Sequence, residues 1–352
     1  MSRHAFILGG TGQIGRAVAG NLIEHGWRVT VAHRGIRTLP DDLVERGAKI
    51  VILDREKPDE LAEALKSGVD ALIDTIAFHS DHARQLIELQ HNVGTFVVIS
   101  SSSVYRDALG RTLDEAGQNG FPELPVPIPE TQPTVDPSPA TYSTRKIAIE
   151  RTLFDEAATP VTVLRPGPIH GPGSHIREWW FVKRILDGRK VMPLAYRGTS
   201  RFHTTSVANI AALTRVVIDA PANRPLNIGD PSPPSVAEIA ASIAQHMGYE
   251  GQIVEVPGED YPATLGRTPY SVPRPFILDV RAAGELGYYP ATTYADAVKL
   301  TCNWLVETAA DGDWLEKSPW FRPPPDLFDY REEDRLLASG MTGMGHERLS
   351  SV

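Results

Sequence analysis

Seven residues near the N-terminus, Gly9-Gly10-Thr11-Gly12-Gln13-Ile14-Gly15, constrain this chain more than any other feature. They follow an apolar segment, Ala5–Leu8, and open a stretch in which Ile14, Val18 and Leu22 recur four apart, the spacing of one helix face. Strand, glycine turn and helix in that order make a dinucleotide-binding loop. Gly9 permits the tight turn, Gly12 lets the backbone approach a pyrophosphate, and Gly15 lets the helix lie against the strand. The free N–H groups at the helix start then face the phosphates. Gly9, Thr11, Gly12, Gln13, Ile14 and Gly15 are the candidate cofactor contacts here. A bare G-x-x-G-x-x-G string is weak evidence; its strand–turn–helix setting makes it specific.

Further strands are expected over Arg28–Ala32, Lys49–Leu53, Ala71–Ile76, Thr95–Ser100 and Val161–Leu164. They are apolar throughout and separated by helical patterns, which indicates a parallel sheet covered on both faces. Right-handed crossovers then give a doubly wound, Rossmann-type α/β fold. After residue 168 the alternation gives way to a sequence rich in Pro, Gly and aromatic residues, with helices expected over Asn209–Val217, Val236–Met247 and Ala295–Thr308. A chain of 352 residues exceeds one domain of ~150. The expected division is a dinucleotide-binding domain over 1–168 joined by 206–230, a smaller substrate domain over 169–205 and 231–317, and an extended C-terminal tail over 318–352.

The second strand ends in Val31-Ala32-His33-Arg34-Gly35, with Arg37 close behind and no acid to bond the adenosine ribose as NAD favours. A guanidinium suits a 2′-phosphate through paired hydrogen bonds. NADP(H) is therefore the expected cofactor, with NAD(H) the alternative, and His33 and Arg34 are candidate contacts. Arg34 has two other readings, a solvated surface charge or a stack on adenine. Asp54 ends the third strand and either accepts from the adenine amino group or caps the next helix. Arg55 and Ala77 are further candidate cofactor contacts.

Tyr142-Ser143-Thr144-Arg145-Lys146 opens a helical segment, so the phenol and the ammonium, four apart, share a face. A phenol of pKa about 10 is a poor base at neutral pH. A nearby ammonium stabilises the phenolate and lets Tyr142 exchange a proton with a substrate oxygen. Lys146 has a second role open to it, holding the cofactor ribose. Upstream, Ser100 to Ser103 put hydroxyls at the carboxyl end of the fifth strand, the ligand edge of such sheets. They either donate to the substrate or form a turn.

Together these segments resemble the extended branch of the short-chain dehydrogenase/reductase superfamily, the NAD(P)-dependent epimerase/dehydratase family. The resemblance covers roughly residues 4 to 305. It also rests on Leu164-Arg165-Pro166-Gly167, His170-Gly171-Pro172-Gly173, His203 to Ala208 and Leu286-Gly287-Tyr288-Tyr289-Pro290. It implies Tyr142 as the acid/base, Lys146 as its partner, Ser101 (four before Tyr105) as the catalytic hydroxyl, and Pro166 and Gly167 along the nicotinamide. The chain departs from that pattern at several positions. Ser102 and Ser103 stand where dehydratases of the branch carry Asp-Glu, which disfavours dehydration. Pro168, Thr199 and Ser206 stand where nucleotide-sugar enzymes carry Asn, Arg and Asp, which argues against a nucleotide-sugar substrate.

His79, Ser102, Pro168, His170, Arg177 and Trp180 are candidate substrate contacts. His170, His175, Arg177, Trp179 and Trp180 make an aromatic, basic cluster that either lines a pocket or belongs to the core of the smaller domain. His79, Asp81 and His82 lack a further ligand set at metal spacing, so no metal is expected; Ser80 or Asp81 would cap the helix there. From Pro122 to Pro139 there are seven prolines, which exclude helix and central strand and leave either a lid over the site or a stapled surface crossing.

The charge of −9, from 35 basic and 44 acidic residues, argues against nucleic acid or an anionic membrane as partner. One cysteine, Cys302, allows no internal disulfide. No apolar run is long enough to span a bilayer, and the first strand begins too early for a signal peptide. The expectation is a cytoplasmic NADP(H)-dependent oxidoreductase acting at a secondary alcohol or ketone of a small molecule, with a homodimer left open. A sugar or nucleotide-sugar epimerase is the nearest alternative, because it uses the same residues. A non-catalytic relative that senses the cofactor or binds a macromolecule is the alternative of another class.

Overall fold

The computed structural model describes residues 2–174, 177–258, 263, 265–310 and 327–338, and the chain divides into two compact units. The first holds Met1–Ile169, His203–Pro231 and Ile277–Thr293; the second holds His170–Phe202, Ser232–Phe276 and the chain from Tyr294 onward. The expected boundary is thus corrected at 277–293, which belongs with the first unit. The Ile128 N–H donates to the Ile277 carbonyl at 2.7 Å and the Asp279 N–H to the Ile128 carbonyl at 2.8 Å. Ala283 and Tyr288 are buried in that unit's core.

The first unit is built on a seven-stranded sheet: β1 (His4–Leu8), β2 (Arg28–His33), β3 (Lys49–Ile52), β4 (Ala71–Asp74), β5 (Phe96–Ile99), β6 (Val161–Pro166) and β7 (Arg224–Ile228). Its spatial order is β7-β6-β5-β4-β1-β2-β3 and every pairing is parallel. The six expected strands are all present. The seventh went unseen because Pro225 and Asn227 interrupt its apolar run; at the sheet edge, proline's missing donor is tolerated.

Helices α1 (Gln13–Glu24), α2 (Pro58–Leu65), α3 (Ser80–Glu88), α4 (Tyr142–Glu156) and α5 (Val207–Asp219) belong to the same unit. Because side chains alternate along a strand, Ala5 and Ile7 of β1 meet Val18 and Leu22 of α1 and Ile210 and Leu213 of α5 on one face. Phe6 and Leu8 meet Leu61 of α2, Leu86 of α3 and Leu153 of α4 on the other. A parallel sheet puts the loops after β1 to β6 at one edge, and the candidate site residues of this unit lie there.

The proline-rich stretch is a stapled crossing and not a hinged lid. Besides the Ile128 bonds, the Val135 N–H donates to the Val104 carbonyl at 2.9 Å and the Arg106 N–H to the Pro133 carbonyl at 3.0 Å. The Glu130 carboxylate accepts the Asn227 N–H of β7 at 3.0 Å, so the segment lies along the sheet edge.

The second unit gathers helices Trp179–Leu186, Val236–Met247 and Tyr294–Ala309 around Phe181, Met192, Ile239, Val298 and Leu305. The expected extended tail is corrected within 327–338, where Arg331–Ala338 is a helix. Glu333 is buried against Arg184 at 2.7 Å, and the Tyr330 hydroxyl donates to Asp187 at 2.7 Å. No local pattern announces an ion pair between residues so distant in the chain. The rest of that tail lies outside the described residues. Among the described residues, no helix is long and apolar enough to cross a membrane.

Candidate active site

The glycine loop is a cradle that side chains would fill. Gly9 has φ +77°, and a Cβ there would lie 2.5 Å from Ile76 and Thr75. A Cβ on Gly15 would lie 2.5 Å from Gly10 Cα and 2.6 Å from the Gly9 carbonyl oxygen, and one on Gly12 3.2 Å from that same oxygen. Gly12 is the N-cap of α1 and supplies no side-chain cap, which leaves the helix's first N–H groups for a ligand. Thr11, Gln13 and Ile14 stand at this helix start, with the Thr11 carbonyl accepting from Arg16 Nε at 2.7 Å. These residues fit the pyrophosphate of a nicotinamide dinucleotide. Gly15→Val is expected to weaken NADH binding about tenfold to a hundredfold by forcing helix and loop apart, measured by fluorescence titration on protein that keeps its circular dichroism spectrum.

At the adenosine end, His33 is held neutral by burial, and its Nδ1 accepts the Gly35 N–H at 3.0 Å, which shapes the turn. Arg34 and Arg37 are exposed. Burial and the nearby Arg37 push the Arg16 guanidinium below its usual range, so cations gather beside this loop. Arg34 and Asp54 line one groove of about 690 Å³ with Leu53, Lys57 and Glu60. Asp54 accepts the Glu56 N–H at 3.1 Å, and the cap position of α2 falls to Lys57, so the capping alternative for Asp54 is not the one adopted. Arg55 is corrected. Its side chain is buried against Asp74 at 2.6 Å and is spent inside the fold rather than offered to a cofactor.

Tyr142 is the first residue of α4. The helix starts there because Thr141 accepts the Thr144 N–H at 3.3 Å while Thr144 Oγ1 accepts the Thr141 N–H at 2.9 Å, a reciprocal cap. Tyr142 itself is 41% exposed. Lys146, one turn on, is buried, and its Nζ lies 5.6 Å from the Tyr142 ring centre and 5.1 Å from that of Phe78. It donates to the Ala77 carbonyl at 2.7 Å and the Ile99 carbonyl at 2.9 Å, leaving one N–H. Burial pulls the ammonium down to about 8. Ser101 Oγ accepts the Ser103 N–H at 3.1 Å and lies 2.9 Å from Ser103 Oγ, to which Ser143 Oγ donates at 2.8 Å. Ser101 thus stands in a chain of hydroxyls with Ser103 and Ser143 beside the start of α4. Tyr142, Lys146 and Ser101 can therefore serve an oxygen that gains or loses a proton beside a nicotinamide.

Residues 5–229 match the model of the NAD dependent epimerase/dehydratase family. The chain belongs to that family. It is an enzyme of the extended short-chain dehydrogenase/reductase type, which sets aside the non-catalytic alternative. The UDP-N-acetyl-alpha-D-glucosaminuronate decarboxylase of Bacillus cytotoxicus is 23% identical over 339 residues, covering 88% of this chain and all of that protein. Among solved structures, the UDP-glucose 4-epimerase of Thermotoga maritima superposes with TM-score 0.65 at 21% identity, over 87% of this chain and 99% of that one. The NAD complex of dTDP-glucose 4,6-dehydratase from Bacillus anthracis superposes with TM-score 0.65 at 18% identity, over 88% and 98%.

In this epimerase/dehydratase-family enzyme the remaining expected contacts scatter. Ser102 is 3% exposed and faces inward, against its reading as a substrate contact. Pro168 is buried, its carbonyl accepting the Thr205 N–H at 2.8 Å, while Pro166 ends β6. His79 is half-exposed and takes the N-cap position of α3, where Ser80 or Asp81 was expected. Its ring lies 3.7 Å from that of His82, and Glu56 completes a trio of metal-ligand types. Yet His82 Nδ1 accepts the Phe78 N–H at 3.0 Å, so its proton sits on Nε2 and goes to Glu56 at 2.9 Å. Neither nitrogen offers a lone pair to an ion.

In the second unit, Trp180 is 1% exposed with the Arg184 guanidinium 3.6 Å over its ring and Phe181 at its edge. That is the core alternative, and the pocket reading fails for it. Trp179 is likewise core. His170 is fully buried with its ring 4.7 Å from Tyr294, and Arg177 is half-buried. His175 lies outside the described residues. Sequence reasoning missed Phe78, Asp74 and Glu150. Only Glu150 left a signal, lying four residues beyond Lys146 on the same helix.

Proposed function

We propose that this enzyme prefers NADP(H) and moves hydride at a secondary alcohol or ketone of a small-molecule substrate, with Tyr142 exchanging the proton. The observation that carries the reading is the half-exposed Tyr142 one helical turn before the buried Lys146, whose Nζ lies 5.6 Å from its ring centre. The nicotinamide, when bound, gives or takes the hydride. Lys146 stabilises the phenolate of Tyr142 and turns its remaining N–H to the cofactor ribose. Ser101 donates to the substrate oxygen and orients it. Loss of water from the substrate is disfavoured, because Ser102 and Ser103 supply no carboxylate at that place. The acidic balance and single cysteine support a cytoplasmic small-molecule enzyme.

Preference for NADP(H) is supported by Arg34, exposed just beyond β2 and three residues before Arg37, with no acid at the end of that strand to bond a free ribose hydroxyl. NADPH is expected to bind at least several-fold tighter than NADH, and Arg34→Ala to remove most of that gap. Equal affinities by calorimetry in the unaltered enzyme would leave it an NAD(H) enzyme.

Epimerisation is the second reading, favoured by the family and by the 4-epimerase among its structural relatives. The same tyrosine serves both. Incubation with a panel of ketones, sugars and UDP-sugars separates them: net oxidoreduction changes nicotinamide absorbance with each turnover, whereas epimerisation converts substrate with none.

A further inference from the structure

Behind the loop that receives Lys146 lies a buried ion pair that no step above uses. Asp74 ends β4 and is fully buried. Its Oδ2 meets Arg55 Nη1 at 2.6 Å and its Oδ1 accepts the Ile76 N–H at 2.9 Å. One residue further on, the Ala77 carbonyl receives the Lys146 ammonium at 2.7 Å. Arg55 also donates to Gln85 Oε1 at 3.1 Å and the His82 carbonyl at 3.4 Å, and Gln85 Nε2 donates back to the Arg55 carbonyl at 2.7 Å. The guanidinium thus ties the loop after β3 to α3 and, through Asp74, to the loop after β4.

Burying two charges is costly, and well-packed apolar residues of the same size often hold a fold as well or better. What they cannot supply is a fixed negative charge near a buried ammonium. The charged and titratable groups acting on Lys146 are Asp74 from β4, Glu150 from its own helix, Arg55 from the loop after β3, and Tyr142 one turn earlier. Asp74 and Glu150 favour the charged lysine, and Arg55 opposes it.

We propose that Asp74 and Arg55 are positioning residues for the cofactor site: Asp74 fixes the loop whose Ala77 carbonyl receives the Lys146 ammonium, and Arg55, paired with Asp74, offsets its charge. The proposal rests on the reading of Lys146 as a ribose contact. It is tested by fluorescence titration with NADH, which lacks a titrating 2′-phosphate, between pH 6 and 9.5. In the unaltered enzyme affinity falls as pH rises through about 8, where the ammonium loses its proton.

Asp74→Asn keeps the bond to Ile76 and removes the charge, so the fall moves to lower pH by about half a unit or more. Arg55→Met removes the opposing charge, so the fall moves to higher pH. Purely structural damage would weaken binding in both and move neither midpoint in opposite senses. Each single variant strands a buried charge, so the charge-balanced double variant, with its melting curve recorded, stands in where one fails to fold; its midpoint is expected below the unaltered value, by less than in Asp74→Asn. Midpoints that stay put or move together overturn the proposal while the cofactor reading stands. Failure of the unaltered enzyme to bind NADH or NADPH anywhere in the range overturns both.

Discussion

Tyr142→Phe is expected to lower turnover by about 10²-fold or more while NADH affinity stays within about twofold. The change deletes one hydroxyl from a half-exposed ring. It touches neither the Thr141–Thr144 cap that starts α4 nor the two carbonyl bonds that hold Lys146. Packing and cofactor contacts therefore survive, and the lost element is the proton that must reach the substrate oxygen. On the proposed mechanism Ser101 would remain to orient that oxygen while no group exchanges its proton, so turnover falls rather than binding. The rate is read from nicotinamide absorbance, or from product if the reaction is redox-neutral, with whichever substrate the panel identifies. Undiminished turnover would remove Tyr142 from the acid/base role.

Glu150→Ala is expected to cost the first unit about 3–5 kcal/mol of stability, since it leaves a buried guanidinium without its counter-charge. Both Glu150 oxygens are engaged: Arg165 Nε donates to Oε1 at 3.1 Å, Arg165 Nη2 to Oε2 at 2.5 Å, and Ser100 Oγ to Oε1 at 2.5 Å. Arg165 stays charged at any accessible pH, its protonation favoured further by Glu150. Its other partners, the Tyr105 hydroxyl at 3.2 Å and the Glu130 carbonyl at 3.3 Å, are neutral. The melting temperature should fall on the order of 10 °C. Glu150→Gln, which keeps one oxygen to accept from Ser100 and Arg165 Nε but replaces the oxygen that accepts from Arg165 Nη2 by a donor, should fall less. A loss under about 1 kcal/mol in the alanine variant would show that solvent reaches Arg165 after all.

The Glu150 pair also shows where sequence reading reaches its end. Glu150 sits on the helix that Tyr142 and Lys146 announced, yet its partner lies on β6 and its role depends on a strand passing behind the helix. Tyr105 is a parallel case. Its place after Ser101 marked the serine, but the phenol is fully buried, donates to Asn227 at 2.6 Å, and is pushed up to about 12 by burial, so it serves the fold and not the chemistry. Arg55 stood next to a plausible adenine contact, and nothing local said that its side chain turns inward to Asp74.

What the residues determined by themselves was everything written at short range. Alternation along β1 and the four-residue spacing of α1 decide which side chains face the two cores. The glycines of the loop decide that only backbone can stand there, and the spacing of Tyr142 and Lys146 puts both on one helix face. These follow because helix and strand geometry repeat within a few residues. Only the tertiary structure decided what spans the chain: that 277–293 returns to the first unit, that β7 closes the sheet despite Pro225, that the proline-rich stretch is stapled, and that Arg55 meets Asp74 behind Lys146. Those outcomes depend on buried polar groups finding partners across long separations, a requirement every buried charge imposes and no local period records.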